Sequence, residues 1–151
     1  ARAAFGAAPE LEATYAAAAS SGSFRCLDGL LELPSAVVND DACDCADGSD
    51  EPGTAACAGA ERARFHCRNV GSLPKTVFAS RVNDGVCDCC DGSDELGLAR
   101  TAAGVRPPAR RPCEDGCRVE GASLRVELTR RLEEAAAGLA RREDAEAGAA
   151  E

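Results

Sequence analysis

Asn39-Asp-Asp-Ala-Cys-Asp-Cys-Ala-Asp-Gly-Ser-Asp-Glu51 returns as Asn83-Asp-Gly-Val-Cys-Asp-Cys-Cys-Asp-Gly-Ser-Asp-Glu95, 44 residues on and identical at ten of thirteen positions. Upstream, Phe24-Arg-Cys26 returns as Phe65-His-Cys67, a shift of 41. Repetition of this kind means one structural unit used twice. Six of the twelve residues 40–51 are carboxylates, and five of the twelve residues 84–95. So much like charge in a cross-linked loop is costly unless a cation neutralises it. Many hard oxygen donors at flexible geometry suit Ca²⁺, whereas Mg²⁺ demands a stricter octahedron and keeps more of its water. Two loops predict two Ca²⁺ ions.

The residues around the loops say how such units hold together. The 151 residues include four Phe, one Tyr, no Trp and no Met, so the hydrophobic fraction of 45% is carried by small side chains. Units of roughly 40 residues with so little core do not fold unaided. Ten cysteines, at 26, 43, 45, 57, 67, 87, 89, 90, 113 and 117, supply the missing staples. Such density reads as a disulfide framework made in an oxidising compartment. A reduced, zinc-binding chain fits poorly, since His66 is the single histidine and Asp abounds.

An Asp opens and a Glu closes each twelve-residue loop, as in an EF-hand. That loop, however, needs Gly at its sixth position, where Cys45 and Cys89 stand here. The pattern resembles instead the LDL-receptor class A module, with its Phe-x-Cys entry and its Cys-x-Asp-Gly-Ser-Asp-Glu end, both present twice. The resemblance implies a small disulfide-rich, calcium-stabilised fold: two tandem modules with little regular secondary structure, followed by a C-terminal α-helix. It implies the side-chain ligands Asp40, Asp44, Asp50 and Glu51 with backbone oxygens of Val37 and Ala42, and Asp84, Asp88, Asp94 and Glu95 with those of Arg81 and Val86. Asp47 and Asp91 are expected to accept loop amides instead. The cysteine expected before the first ligand is replaced by Asn39 and Asn83, and the N-terminal disulfide is missing. The pairings implied are then Cys26–Cys45, Cys43–Cys57, Cys67–Cys89, Cys87–Cys113 and Cys90–Cys117, which spacing alone does not prove.

These departures, with Leu27-Asp-Gly29, Val38-Asn-Asp-Asp41, Glu51-Pro-Gly-Thr-Ala-Ala-Cys57 and Phe65-His-Cys67, resemble the N-terminal domain of the beta subunits of endoplasmic-reticulum glucosidase II. Membership implies a non-catalytic regulatory and assembly domain in the ER lumen. Its partner is then a catalytic alpha subunit that trims glucose from N-glycans, in a hetero-oligomer. A receptor-type module capturing basic protein ligands is the alternative. It is weakened because Val37 and Arg81 stand where such receptors carry a lysine-stacking aromatic. Catalysis is disfavoured because the carboxylates come in two equivalent copies, and no Ser/His/Asp set or phosphate loop occurs.

Charge and hydropathy narrow the partners. Of the net −9, residues 1–95 carry all the excess, 7 basic against 16 acidic side chains. Nucleic acid is a poor partner for that surface. No stretch approaches a membrane span. No signal peptide, N-glycosylation sequon or C-terminal retention tetrapeptide is visible, so a secretory signal is expected to have been removed already.

Five zones follow: a lead over 1–22, the first module over 23–57, a polar hinge over 58–63, the second module over 64–117, and an amphipathic helix over 118–151. Pro9 favours a first helical turn and predicts a short helix in the lead. Leu124, Leu128, Leu132, Ala135 and Leu139 form one narrow stripe. The stripe suits the start of a coiled coil, a partner's surface, or packing back onto its own domain.

Overall fold

The computed structural model describes residues 4–96, 99–101, 104–106 and 113–149; part of the second module, residues 97–98, 102–103 and 107–112, lies outside them. A short 3₁₀ turn with Pro9 at its start leads into helix α1 (Glu12–Ser21). Alanines make the helix, and Gly22 ends it at φ +80°, its N–H bonding back to Ala18 O. Tyr15 and Ala18, three residues apart, form its buried face. The Tyr15 ring stacks on Phe24 with centroids 5.3 Å apart.

Each module begins with a two-stranded antiparallel hairpin. In the first, β1 (Ser23–Arg25) pairs with β2 (Glu32–Pro34), placing Phe24 opposite Leu33. In the second, β3 (Arg64–Cys67) pairs with β4 (Lys75–Phe78), placing Phe65 opposite Val77. A 3₁₀ turn follows each hairpin, Ser35–Val37 and Ala79–Arg81. Next comes a left-handed asparagine, Asn39 at φ +57° and Asn83 at φ +58°. Their N–H groups bond to Asp50 O (2.8 Å) and Asp94 O (2.9 Å). The sequence repeat is thus a repeat of turns and bonds, residue for residue. A third hairpin, β5 (Ala99–Thr101) with β6 (Gly104–Arg106), follows the second loop.

Among the described residues the core is three small clusters, in keeping with so few large side chains. The first joins Tyr15, Phe24, Cys26 and Cys45, so the lead is part of the first module's interior. The second gathers Phe65, Cys67, Val77, Val82 and Cys89, with Phe5 packed against it. The third joins Cys57, Ala63 and Ala79. Of residues 58–63, expected as a polar hinge, four are exposed, while Ala63 is buried, with its carbonyl accepting from Ala79 N.

Five disulfides cross-link the chain: Cys26–Cys45, Cys43–Cys57, Cys67–Cys89, Cys87–Cys113 and Cys90–Cys117. The last two draw the segment before α2 (Cys117–Glu120) onto the second acidic loop. Gly121 then separates α2 from α3 (Ala122–Ala149). This junction rests on the β3–β4 turn, where Gly71 O accepts from the Arg125 guanidinium and Ser72 Oγ bonds Glu120 (3.1 Å). A Cβ on Gly121 would lie 2.0 Å from Gly71 O, so no larger residue fits. Beyond this base α3 does not fold back. From Leu128 to Gly148 every residue is exposed, over a rod of roughly 40 Å for the whole helix. Glu127, between Arg130 (2.8 Å) and Arg131 (2.7 Å), is held below the usual carboxylate range by those guanidinium groups.

Candidate metal-binding loops and family

Each acidic loop is organised by its closing pair of carboxylates. Asp50 and Asp94 are 0% exposed, Glu51 1% and Glu95 8%. Burying charge so deeply requires bonds to the charged oxygens. Backbone N–H groups of the same loop supply them. Glu51 Oε1 accepts from Asp40 N (2.6 Å) and Asp41 N (3.0 Å), and Asp50 Oδ2 from Asp44 N (2.6 Å). In the second loop Glu95 accepts from Asp84 N (2.9 Å) and Gly85 N (3.0 Å), and Asp94 Oδ2 from Asp88 N (2.6 Å). Asp40 and Asp84 each cap their own turn, accepting from Ala42 N (3.0 Å) and Val86 N (2.9 Å). Asp47 and Asp91 are amide acceptors, from Asp28 N and Ser49 N in one case and from Asn69 N and Ser93 N in the other.

These bonds leave particular oxygens over. Asp94 Oδ1 is buried and accepts no hydrogen bond, while Asp88 Oδ2, on a half-buried side chain, has only the Arg81 guanidinium at 4.0 Å. Asp50 Oδ1 meets only the Cys57 sulfur, at 3.5 Å. Orphaned anionic oxygens in a fully buried carboxylate are what a hard cation satisfies. The quartets do not converge tightly, however. Among the described residues, the only trios of potential ligand atoms within 4.8 Å of one another are Cys26, Cys45 and Asp47, and Cys43, Asp50 and Cys57. All four of those cysteines are in disulfides and are not ligands. Burial pushes the Glu51 carboxyl up to about 6, against the pull of the Thr54 hydroxyl and the two backbone N–H groups.

Val37 and Arg81 end the 3₁₀ turns that precede the loops, with the backbone carbonyls of Ala42 and Val86 further on. The Arg81 side chain turns onto its own loop, 3.4 Å from Asp84 and 4.0 Å from Asp88. The second loop's Asp84 and Asp88 thus already face a guanidinium of their own chain.

Two hairpin-led, disulfide-knotted units, each closing one acidic loop, define a tandem cysteine-rich binding module. A solved structure matches this fold. It is a chain of the ER glucosidase II heterodimeric complex of the catalytic subunit with the binding domain of the regulatory subunit. The TM-score is 0.59 at 37% identity, over 76% of this chain and 98% of that one. The chain belongs to the PRKCSH-like, glucosidase II beta subunit-like family, whose model matches residues 1–151. It is 57% identical to human Glucosidase 2 subunit beta over 54 residues, 36% of this chain and 10% of the relative. To the Mycosarcoma maydis protein of that name it is 55% identical over 59 residues, 39% of this chain and 10% of the relative. The matched stretch is thus about a tenth of those relatives' length. No helix among the described residues is long and apolar enough to cross a membrane.

The strap formed by residues 4–8 was invisible to sequence reasoning. Phe5 packs edge-to-face on Phe65 at 5.3 Å, and Gly6 O accepts from His66 N at 2.8 Å. An Ala-rich lead carries no periodic signal for such contacts.

Proposed function

We propose that this chain is the assembly domain of a glucosidase II-type beta subunit. It docks a catalytic alpha subunit in the ER lumen, for glucose trimming of N-glycans in glycoprotein quality control, and has no glycosidase activity of its own. The observation that carries this reading is the solved heterodimer, whose regulatory-subunit binding domain is matched over 98% of its length. The carboxylates support a structural rather than a catalytic role. They come in two equivalent copies and are spent on backbone N–H groups within their loops. A general acid, by contrast, needs a cleft that receives substrate.

Two Ca²⁺ ions complete the reading. Asp40, Asp44, Asp50 and Glu51 would hold one, with the Val37 and Ala42 carbonyls, and Asp84, Asp88, Asp94 and Glu95 the other, with those of Arg81 and Val86. Bound calcium supplies charge compensation, bringing the formal −9 to −5. The loops' own residues do the rest: the N–H bonds preset each loop, so less entropy is lost when a partner docks. Co-purification with a purified alpha subunit in calcium and then in excess EGTA tests the whole. Recovery in calcium and loss in EGTA is expected. Equal recovery in both would make the loops staples remote from the interface, and no recovery in either would sink the assembly reading.

A further inference from the structure

We propose that the strap of residues 4–8 and the Asn39 carboxamide are positioning elements for the first calcium loop, and that they tie its geometry to the core of the second module. The proposal rests on the calcium reading above. Both loops are entered through a left-handed asparagine, and the bonds of the Asn39 side chain tie the first loop's neck to the strap. Asn39 Oδ1 accepts from Gly53 N (2.7 Å) and its Nδ2 donates to Phe5 O (3.1 Å). The residue before the first side-chain ligand, Asp40, is thereby bonded to the second residue after the last, Glu51. The loop is closed at its neck by hydrogen bonds, at the position where the resemblance leads one to expect a cysteine.

The neck is in turn pressed by the strap. Gly6 adopts φ +80°, and a Cβ there would lie 2.0 Å from Pro52 O. A Cβ on Gly53 would lie 2.6 Å from Phe5 O. No methyl group fits on either side, so the strap and residues 52–53 interlock. The other side of the strap belongs to the second module, through the Phe5–Phe65 ring contact and the His66 N–H on Gly6 O. Outside the strap core, the lead's Glu12 pairs with Arg68 of the second module. The strap is therefore wedged between one loop's neck and the other module's hairpin. Loosening it lets the ends of loop 40–51 part, and Asp40 and Glu51, at those ends, stop facing one ion. Both loops are stapled by their own disulfides, and none of the bonds named for this neck comes from residues 84–95.

The test is calcium titration by calorimetry and native mass spectrometry on the 151-residue chain. Asp94→Asn isolates the first site and Asp50→Asn the second. Phe5→Ala and Asn39→Gly, the latter keeping the left-handed backbone, should each weaken the first site about tenfold, the scale of lost outer-sphere support. The second site should be unchanged, and Phe5→Leu, which keeps an apolar plug, should restore most of the loss. Full disulfide content by thiol counting certifies the fold of each variant. Unchanged first-site affinity in both variants, or equal losses at both sites, would overturn the proposal. If the wild type binds no calcium, the calcium reading fails, and amide exchange then judges the strap. Phe5→Ala must speed exchange at His66 and Gly53, and unaltered rates there would end it.

Discussion

Glu51 carries the most consequential single ionisation in the chain. Its ordinary value is 4.5, and burial raises it to about 6 although Thr54 and two backbone N–H groups stabilise the charged form. Between those values the folded chain holds a proton that the unfolded chain has released. Stability therefore falls as pH rises through this window, since the native state binds more protons than the unfolded one. In chelator, the urea midpoint should be higher at pH 5 than at pH 7; a rise with pH would contradict it. On the proposed calcium reading the ion has to displace that proton, so its affinity should weaken below about pH 6. The two loops of carboxylates were legible in the sequence, because they come in two copies at fixed cysteine spacing. Glu51's protonation was not, because it depends on how completely the loop buries the side chain. Nor was the bridging role of Asn39, which showed in sequence only as a departure from an expected cysteine.

At the scale of the element, α1 is fixed to the first module by one polar atom as well as by its alanine face. The Tyr15 hydroxyl donates to Ser49 O at 2.6 Å in the interior, and burial pushes that phenol well above its ordinary range. Tyr15→Phe keeps the stacking on Phe24 but orphans a carbonyl next to Asp50. The expected cost is about 1–2 kcal/mol, the penalty of one buried unpaired acceptor. Chemical denaturation at pH 7 in calcium measures it, and a change under a few tenths would show that water reaches Ser49 O. That the lead holds a short helix was readable from Pro9. That it belongs to the module was not, because a helix that is half alanine, with Tyr15 its single large apolar side chain, has no periodic stripe to assign a buried face. The stripe on α3 was readable for the opposite reason, and the structure removes one of its three uses by leaving that helix clear of its own domain.

For the whole molecule, covalent staples and small clusters share the work. Among the described residues, only Phe24, Phe65 and a handful of smaller side chains are fully buried beside the cysteines. Each disulfide closes a loop of 14 to 27 residues. Each should contribute about 2–4 kcal/mol by restricting the unfolded chain. Reduction should therefore unfold both modules even in millimolar calcium, seen as collapse of amide dispersion in NMR spectra. Persistence of a native spectrum after full reduction would mean that cation and core suffice. The tandem arrangement was visible in the repeat, but the joining of the two units was not. It rests on Phe5 meeting Phe65 across 60 positions of sequence, and no local pattern announces such a pairing.

The two repeat shifts, 41 before the hairpin turn and 44 after it, differ by three residues, and all three fall between Cys67 and Thr76. That lengthened turn is where Gly71 receives Arg125 and abuts Gly121. The shorter counterpart in the first module, with Gly29 at its bend, seats no helix. A duplicated ancestor would have had two equivalent ends; this small difference in length breaks the equivalence and gives the pair a polarity. Whatever α3 reaches is then addressed from one copy alone, which leaves the other free to drift in sequence toward a separate task.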